Sequence, residues 1–390
     1  MKRIAMVAAA GSLLVGGAAM AEDAPPLKVG VISSFTGPSA VDGHALDIAL
    51  QLWAKQHGNK AGGRTIQYIK RDTGGPAPDL VKREVQELIV RDKVDIIDGI
   101  DYTPNALAAA PVSTQAKMPI LIVNAATAGI IAKAPYMSRW GFTTGQVALP
   151  LGQWAYRNGI KTVLVMYSDY GPGIDAGFFF QRGFTQAGGK VIGEVKMPLQ
   201  NPDFSSYIQR IRDARPEAVF VFLPAGAESN AFLKAYKDAG LFKAGIKLLA
   251  TGDLTDEPSL DSLGDSAIGM ITAYDYSDAH RSPMNEKFVK DFKAVGGPDA
   301  RPNFFAVAAY DAMTAIDRVV SAQHGKVDPD QTMALIKGMK FESPRGPIAI
   351  DPETRDIIQN VYIRRVEKRG GHLVNVEFDT IPMVKSPASR

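Results

Sequence analysis

The residues best suited to chemistry lie in two turns of one stretch, Ile96 to Ile130. The first turn, Asp101-Tyr102-Thr103-Pro104-Asn105, follows a predicted strand over Val94 to Ile97. The second, Ala125-Ala126-Thr127, follows the apolar run Ile120 to Val123. Both turns carry hydroxyls and backbone N–H groups beside small side chains. Such donors suit a carboxylate, because hydrogen bonds to a charged acceptor are short and strong. The stretch reads as strand, polar turn, Ala-rich helix, strand and small-residue turn. Both turns thus fall at the carboxyl ends of neighbouring strands, the edge of an open α/β sheet where ligands sit. Half of a carboxylate-binding cleft is expected here.

Enzyme motifs are absent from the sequence. It has no G-x-x-x-x-G-K-[ST], no H-E-x-x-H and no G-x-S-x-G. Gly171-Pro172-Gly173 is followed by Gly177, one residue off the dinucleotide-binding spacing. The absence of cysteine excludes thiol catalysis and Cys-based zinc sites. The five histidines, at 44, 57, 280, 324 and 372, are too dispersed to suggest a metal set. No catalytic residue, metal or cofactor is expected.

The elements that position the two turns follow an α/β rhythm. Strands are predicted over Leu27 to Ile32, Thr65 to Lys70, Val94 to Ile97 and Ile120 to Val123. Helices separate them, from Ala40 to Gln56, from about Pro78, and after the Asp101 turn. Such βαβ repetition implies a parallel sheet covered by helices. The rhythm restarts with a helix over Val147 to Arg157. Strands follow at Thr162 to Tyr167, Val191 to Val195, Ala218 to Leu223, Ile246 to Ala250 and Met270 to Ala273. Helices come next near Asn285 to Val295, Phe304 to Ser321 and Gln331 to Lys337. The tail alternates as antiparallel strands at Ile348 to Ile350, Ile358 to Val366 and Leu373 to Phe378.

Two similar α/β halves without a Pro/Ser-rich linker suggest lobes joined by crossing strands. The crossings are expected near Thr143–Gly145, Ala273–Tyr276 and Arg345–Ile350. The first lobe would comprise residues 27–144 plus 274–346, and the second 145–273 plus 347–384.

Residues 1–21 have the form of a secretory signal. Lys2 and Arg3 precede the apolar run Ile4 to Val15, and Ala19-Met20-Ala21 is an A-x-A cleavage site. Without cysteine, a lipid anchor is not expected. The net charge of +3 falls to +1 once Lys2 and Arg3 are removed, and the basic residues are scattered. No nucleic-acid partner is implied. After residue 21 no run of 18 apolar residues could span a membrane.

Several segments in order resemble one family. They are KVGVISSFTGPSA, Gly99 with the hydroxyl-bearing turn at 101–105, PILIVNAATAG and SDYGPG. NPDFSSYIQRIRDARPEAVFV, ATGD and AAYDA at 308–312 continue the series. The chain is similar over nearly its whole mature length to the periplasmic solute-binding proteins of branched-chain-amino-acid-type ABC importers. The tail ESPRGPIAIDPETRDIIQNVYIR resembles members that bind aromatic or other organic acids.

The resemblance implies a type I periplasmic-binding fold of two Rossmann-like lobes joined by a three-stranded hinge, a monomer in the periplasm, and delivery of a small carboxylate to a membrane permease. A ligand sensor of the same fold is the alternative. The resemblance also places Ala125, Ala126 and Thr127 on the ligand carboxylate. Thr103 would add a hydroxyl and Tyr102 a wall, although Pro104 lacks an N–H where the family has a serine-rich run. Tyr170 matches a ligand-facing tyrosine. Asp253 falls where an acidic residue pairs with a ligand ammonium, or accepts from a phenol or alcohol. Purely structural roles are open for the same residues: Thr127, Thr103 or Asn105 as helix caps, Tyr170 and Asp253 as turn residues. Asp42 and Ala225 stand where relatives place aromatic bulk, which favours a larger or flatter ligand than leucine. Phe304 and Phe305, at a helix start, read as core.

Overall fold

The computed structural model describes residues 24–389. The segment expected as a secretory signal lies outside these residues. Two sheets form the scaffold. The first uses β1 (Leu27–Ser33), β2 (Lys60–Ala61), β3 (Arg64–Asp72), β4 (Ile96–Gly99), β5 (Ile120–Ile122) and β6 (Met137–Arg139). Their order is β2-β3-β1-β4-β5-β6. All neighbours are parallel except the β2–β3 hairpin. The buried strand β4 and the wholly apolar β5 sit between neighbours on both sides, as expected for a parallel sheet covered on both faces.

Helices α1 (Ala40–Gln56), α2 (Pro78–Val90) and α3 (Thr103–Ala116) connect these strands. In α2, Val81, Val85 and Leu88 recur at helical spacing and are buried. Helix α4 (Thr144–Arg157) leads into the second sheet. That sheet contains β7 (Thr162–Ser168), β8 (Lys190–Met197), β9 (Ala218–Phe222), β10 (Lys247–Thr251) and β11 (Ile271–Tyr274). Its helices are α5 (Gly171–Gln186), α6 (Phe204–Ala214) and α7 (Ala227–Asp238).

Helices α8 (Pro283–Gly296) and α9 (Phe304–Ala322) pack against α1, and α10 (Pro329–Ile336) lies beside α9 and β6. The chain then returns to the second sheet through β12 (Lys340–Ser343), β13 (Gly346–Ile350), β14 (Ile357–Arg369) and β15 (His372–Val384). The second sheet runs β12-β13-β14-β11-β10-β9-β7-β8, with β15 paired to β14. Strand β12 lies within 274–346, the span expected for the first lobe, yet it pairs with β13.

Two of these strands carry no clear signal in the sequence. Strand β6 is Met-Ser-Arg, and β12 is Lys-Phe-Glu-Ser. Arg139 enters a buried strand because Asp356 pairs with it at 3.1 Å, both out of solvent. Hydrophobic periodicity cannot reveal a strand whose burial depends on a distant counter-charge.

Two passages between the sheets are tied to the β12–β13 turn by one side chain. Arg345 is fully buried. Its Nη1 donates to Asp275 Oδ2 at 2.7 Å, and its Nη2 to the Trp140 carbonyl at 2.6 Å and to Asp311 Oδ2 at 2.8 Å. Nε also donates to Asp311 Oδ2, at 3.0 Å. Trp140 precedes α4, Asp275 follows β11, and Arg345 itself joins β12 to β13. The planar guanidinium offers five donors in a fixed fork, so one residue can join both passages and α9 to that turn.

Candidate ligand-binding cleft

The cleft lies between the carboxyl ends of the two sheets' parallel strands. On the first lobe, β4 ends in Gly99 and is followed by Ile100, both at positive φ (119° and 60°), and the chain turns sharply into α3. A side chain at Gly99 would overlap the Ile32 carbonyl, so glycine is required there. Buried Asp101 holds the turn. Its Oδ2 accepts from Ser34 N at 2.8 Å and from the Ser34 hydroxyl, and its Oδ1 from Tyr102 N at 2.9 Å and Asn105 Nδ2 at 3.1 Å. Asp101 is thus an organiser of the turn. Asn105 continues this work by accepting from Ala77 N at 2.8 Å.

The hydroxyls of Thr103 and Thr127 meet at 3.0 Å, and Thr127 N donates to Thr103 Oγ1 at 3.4 Å. The two turns singled out by sequence therefore form one polar corner. Ala126 lines the cavity beside it. The Ala126 N–H carries no hydrogen bond to the described residues. Ala125 is placed differently from expectation. Its N–H donates to the Asp101 carbonyl at 2.8 Å, and its methyl packs into the core with Ile100 and Ile131. At φ 51° it reverses the chain so that Ala126 and Thr127 face inward. No regular helix follows Thr127, which removes the helix-cap alternative for it. Thr103 is the first residue of α3 and makes no side-chain cap.

On the second lobe, Tyr170 precedes α5 and its ring lies 6.2 Å from Phe222 at the end of β9. Pro224 and Ala225 complete that wall. Asp253 follows β10 and accepts from Thr251 Oγ1 at 2.6 Å. Phe304 and Phe305 start α9. They belong to the core as the sequence suggests, and they also line the cavity. Asn303 caps α9 through its side-chain oxygen, and its Nδ2 donates to Asp42 Oδ1 at 2.8 Å and Asp256 Oδ2 at 3.2 Å.

The resulting cavity encloses about 390 Å³ of space between atoms, counted to its mouth. Tyr102, Thr103, Ala126, Tyr170 and Asp253 line it, and Thr127 bonds to Thr103 at its edge. Ser39 and Phe222 also line it, and their surroundings in sequence gave no hint of that. Asp256 and Asn303 were equally unmarked, because nothing local says that an N-cap asparagine will reach a second element.

Among the described residues no Lys, Arg or His lines the cavity. Carboxylates do, and burial there disfavours their charged form. Burial and the nearby Asp253 push the Asp42 carboxyl up to about 8, against the bond from Asn303. Burial pushes Asp253 up to about 6, while the Thr251 hydroxyl opposes the shift. Burial and the Asp42 charge hold Asp256 well above the usual range.

The lobes touch where glycine permits it. A side chain at Gly171 would overlap Thr127 Oγ1, and one at Gly226 would strike the Pro38 carbonyl. Both contacts cross the cleft, so the structure is a closed form. Gly171→Ala is expected to weaken ligand binding roughly 5- to 100-fold, from an overpacking penalty of about 1–3 kcal/mol in the closed state. Titration calorimetry checks this, and unchanged affinity would mean that this contact does not control closure.

A sequence model described as periplasmic binding protein matches residues 26–371. The chain belongs to this family. A Leu/Ile/Val-binding protein homolog 6 of Brucella abortus is 42% identical over 389 residues, covering 99% of each chain. Among solved structures, an ABC-transporter solute-binding protein from Rhodopseudomonas palustris BisB5 is 48% identical, with a TM-score of 0.90. The match covers 93% of this binding protein and 99% of that one, which was solved with 3,4-dihydroxybenzoic acid. A second R. palustris solute-binding protein, solved with 4-hydroxybenzoate, is 44% identical with a TM-score of 0.89. It covers 92% of this chain and 98% of its own. The two-lobed α/β architecture expected from the sequence is the fold of this family. No helix among the described residues is long and apolar enough to cross a membrane.

Proposed function

We propose that this binding protein captures a hydroxylated aromatic carboxylate in the periplasm and delivers it to the permease of an ABC importer. The observation that carries the reading is the cavity's composition. Flat walls come from Tyr170, Phe222, Phe304 and Phe305. The Thr103–Thr127 corner and the Ala126 N–H supply neutral donors for the ligand carboxylate. Asp42 and Asp253 supply acceptors for a ring hydroxyl, and Asp42 keeps its own proton near neutrality. Ala225 leaves room for a ring where bulk would otherwise intrude. The relatives solved with dihydroxybenzoic acid and hydroxybenzoate support the same class.

Asp253 favours a second reading, an α-amino acid whose ammonium meets that carboxylate, and the Leu/Ile/Val-binding homologue is consistent with it. A thermal-shift screen decides between the two. A ligand at 100 times its Kd stabilises the native state by roughly 2.7 kcal/mol. Hydroxybenzoates are expected to raise the melting temperature and leucine, isoleucine and valine to leave it unchanged. The reverse pattern would replace the aromatic-acid reading with the amino-acid one.

Thr103→Val keeps the shape of the corner and removes its hydroxyl. A hydrogen bond to a charged group contributes about 1.5–3 kcal/mol. The expected result is roughly 10- to 100-fold weaker binding of 4-hydroxybenzoate by calorimetry. Unaltered affinity would exclude the hydroxyl from ligand contact.

A further inference from the structure

A second chamber adjoins the cavity, with about 640 Å³ of space between atoms. It is lined by Pro38, Pro76, Leu199 and Glu228, and it shares Tyr102 and Pro224 with the inner cavity. The partition between the two spaces is built from three segments. Pro38 faces the outer chamber, and its neighbour Ser39 faces the inner one. Ala225 faces inward, and Glu228 outward. The Tyr102 ring stands between, with its hydroxyl 2.7 Å from Ser39 Oγ. The contact of Gly226 with the Pro38 carbonyl closes the partition from the opposite lobe.

We propose that Tyr102, held by Ser39, sets the length of ligand that the cleft accepts. This rests on the aromatic-acid reading above. On this proposal a single ring with directly attached groups stays inside the partition. A ligand extended by a chain must displace the Tyr102 ring and break its bond to Ser39. The outer chamber then takes the extension, against its apolar prolines and Leu199 and beside the neutral amides of Gln200 and Asn201. Its charged lining residue, Glu228, rejects an anionic end there.

The test compares 4-hydroxybenzoate with two extended acids, 4-hydroxycinnamate and 4-butoxybenzoate, by calorimetry on the full mature chain. The native protein is expected to prefer 4-hydroxybenzoate at least about 30-fold over both. Tyr102→Ala is expected to narrow that preference at least about tenfold for one of them. Ser39→Ala leaves the ring but frees it, and should narrow the preference about threefold. Preferences unchanged in Tyr102→Ala would overturn the length filter while leaving the aromatic-acid reading intact. Failure of the native protein to bind any of the three acids would instead overturn the reading on which the filter rests.

Discussion

Replacing Arg345 with methionine is expected to destabilise the protein by about 3–5 kcal/mol, the range for removing one partner of a buried ion pair. The substitution leaves Asp275 and Asp311 buried without their cation. Burial already raises both carboxyls, and Arg345 opposes that rise. Among the described residues, Oδ1 of each has no hydrogen-bond partner, and the Ser343 hydroxyl, 2.8 Å from Asp311 Oδ2, is a neutral donor that cannot replace the lost charge. The Trp140 carbonyl also loses its donor. For a chain of this size the loss corresponds to a fall in melting temperature of roughly 5–15 °C, measurable by circular dichroism. Arg345→Lys keeps the charge but not the fork, and should fall between the two. A melting curve for Arg345→Met that overlays the native one would show that the passages at Trp140 and Asp275 are held by other contacts.

Affinity for an anionic aromatic acid is expected to fall about tenfold or more between pH 7 and pH 9. With benzoate, which has no phenol to ionise, the ligand's charge is constant over this range, so the change arises in the protein. Below about 8 the Asp42 carboxyl keeps its proton and can donate. Above that, Asp42 joins Asp253 in carrying charge, and both repel the ligand carboxylate across a cavity without a basic residue. A ligand bearing an ammonium would show the opposite trend, because it gains from each ionisation. Calorimetry at three pH values separates the two cases, and a flat profile would remove Asp42 from the site.

The same protons affect stability in the free protein. In the unfolded chain Asp42 loses its proton near its ordinary value of 3.8, whereas the folded chain keeps it to about 8. The folded state therefore binds more protons between these values, and stability declines as pH rises through that window. Asp42→Asn should melt higher than the native protein at pH 8, with the difference shrinking steadily toward pH 4.

The fold was legible where local chemistry and burial agree. Helix α1 begins and ends where its sequence indicates, because Leu46, Leu50 and Trp53 recur on one buried face. The corner of Thr103 and Thr127 was legible because its short donors follow buried strands in a recognisable order. Ala125 was misplaced because sequence cannot tell which of three small residues will take the positive φ that reverses the chain. Asn303, Asp256 and Ser39 were illegible for another reason. Each acquires its role from a partner on a distant element, and the Asn303–Asp42 bond joins residues 261 positions apart.

The missing cation in the cavity bears on how cargo is let go. A lysine or arginine would hold a carboxylate by a charge–charge attraction that decays slowly as the two separate. In the proposed binding mode, hydroxyls and an amide hold it by dipoles, whose attraction decays more steeply and is easily matched by water. Once the lobes part by the width of a water molecule, solvent can replace every donor, and the nearby acidic groups push the anion outward. Grip in such a protein is a property of dryness, so the movement that wets the cleft also releases what it carried.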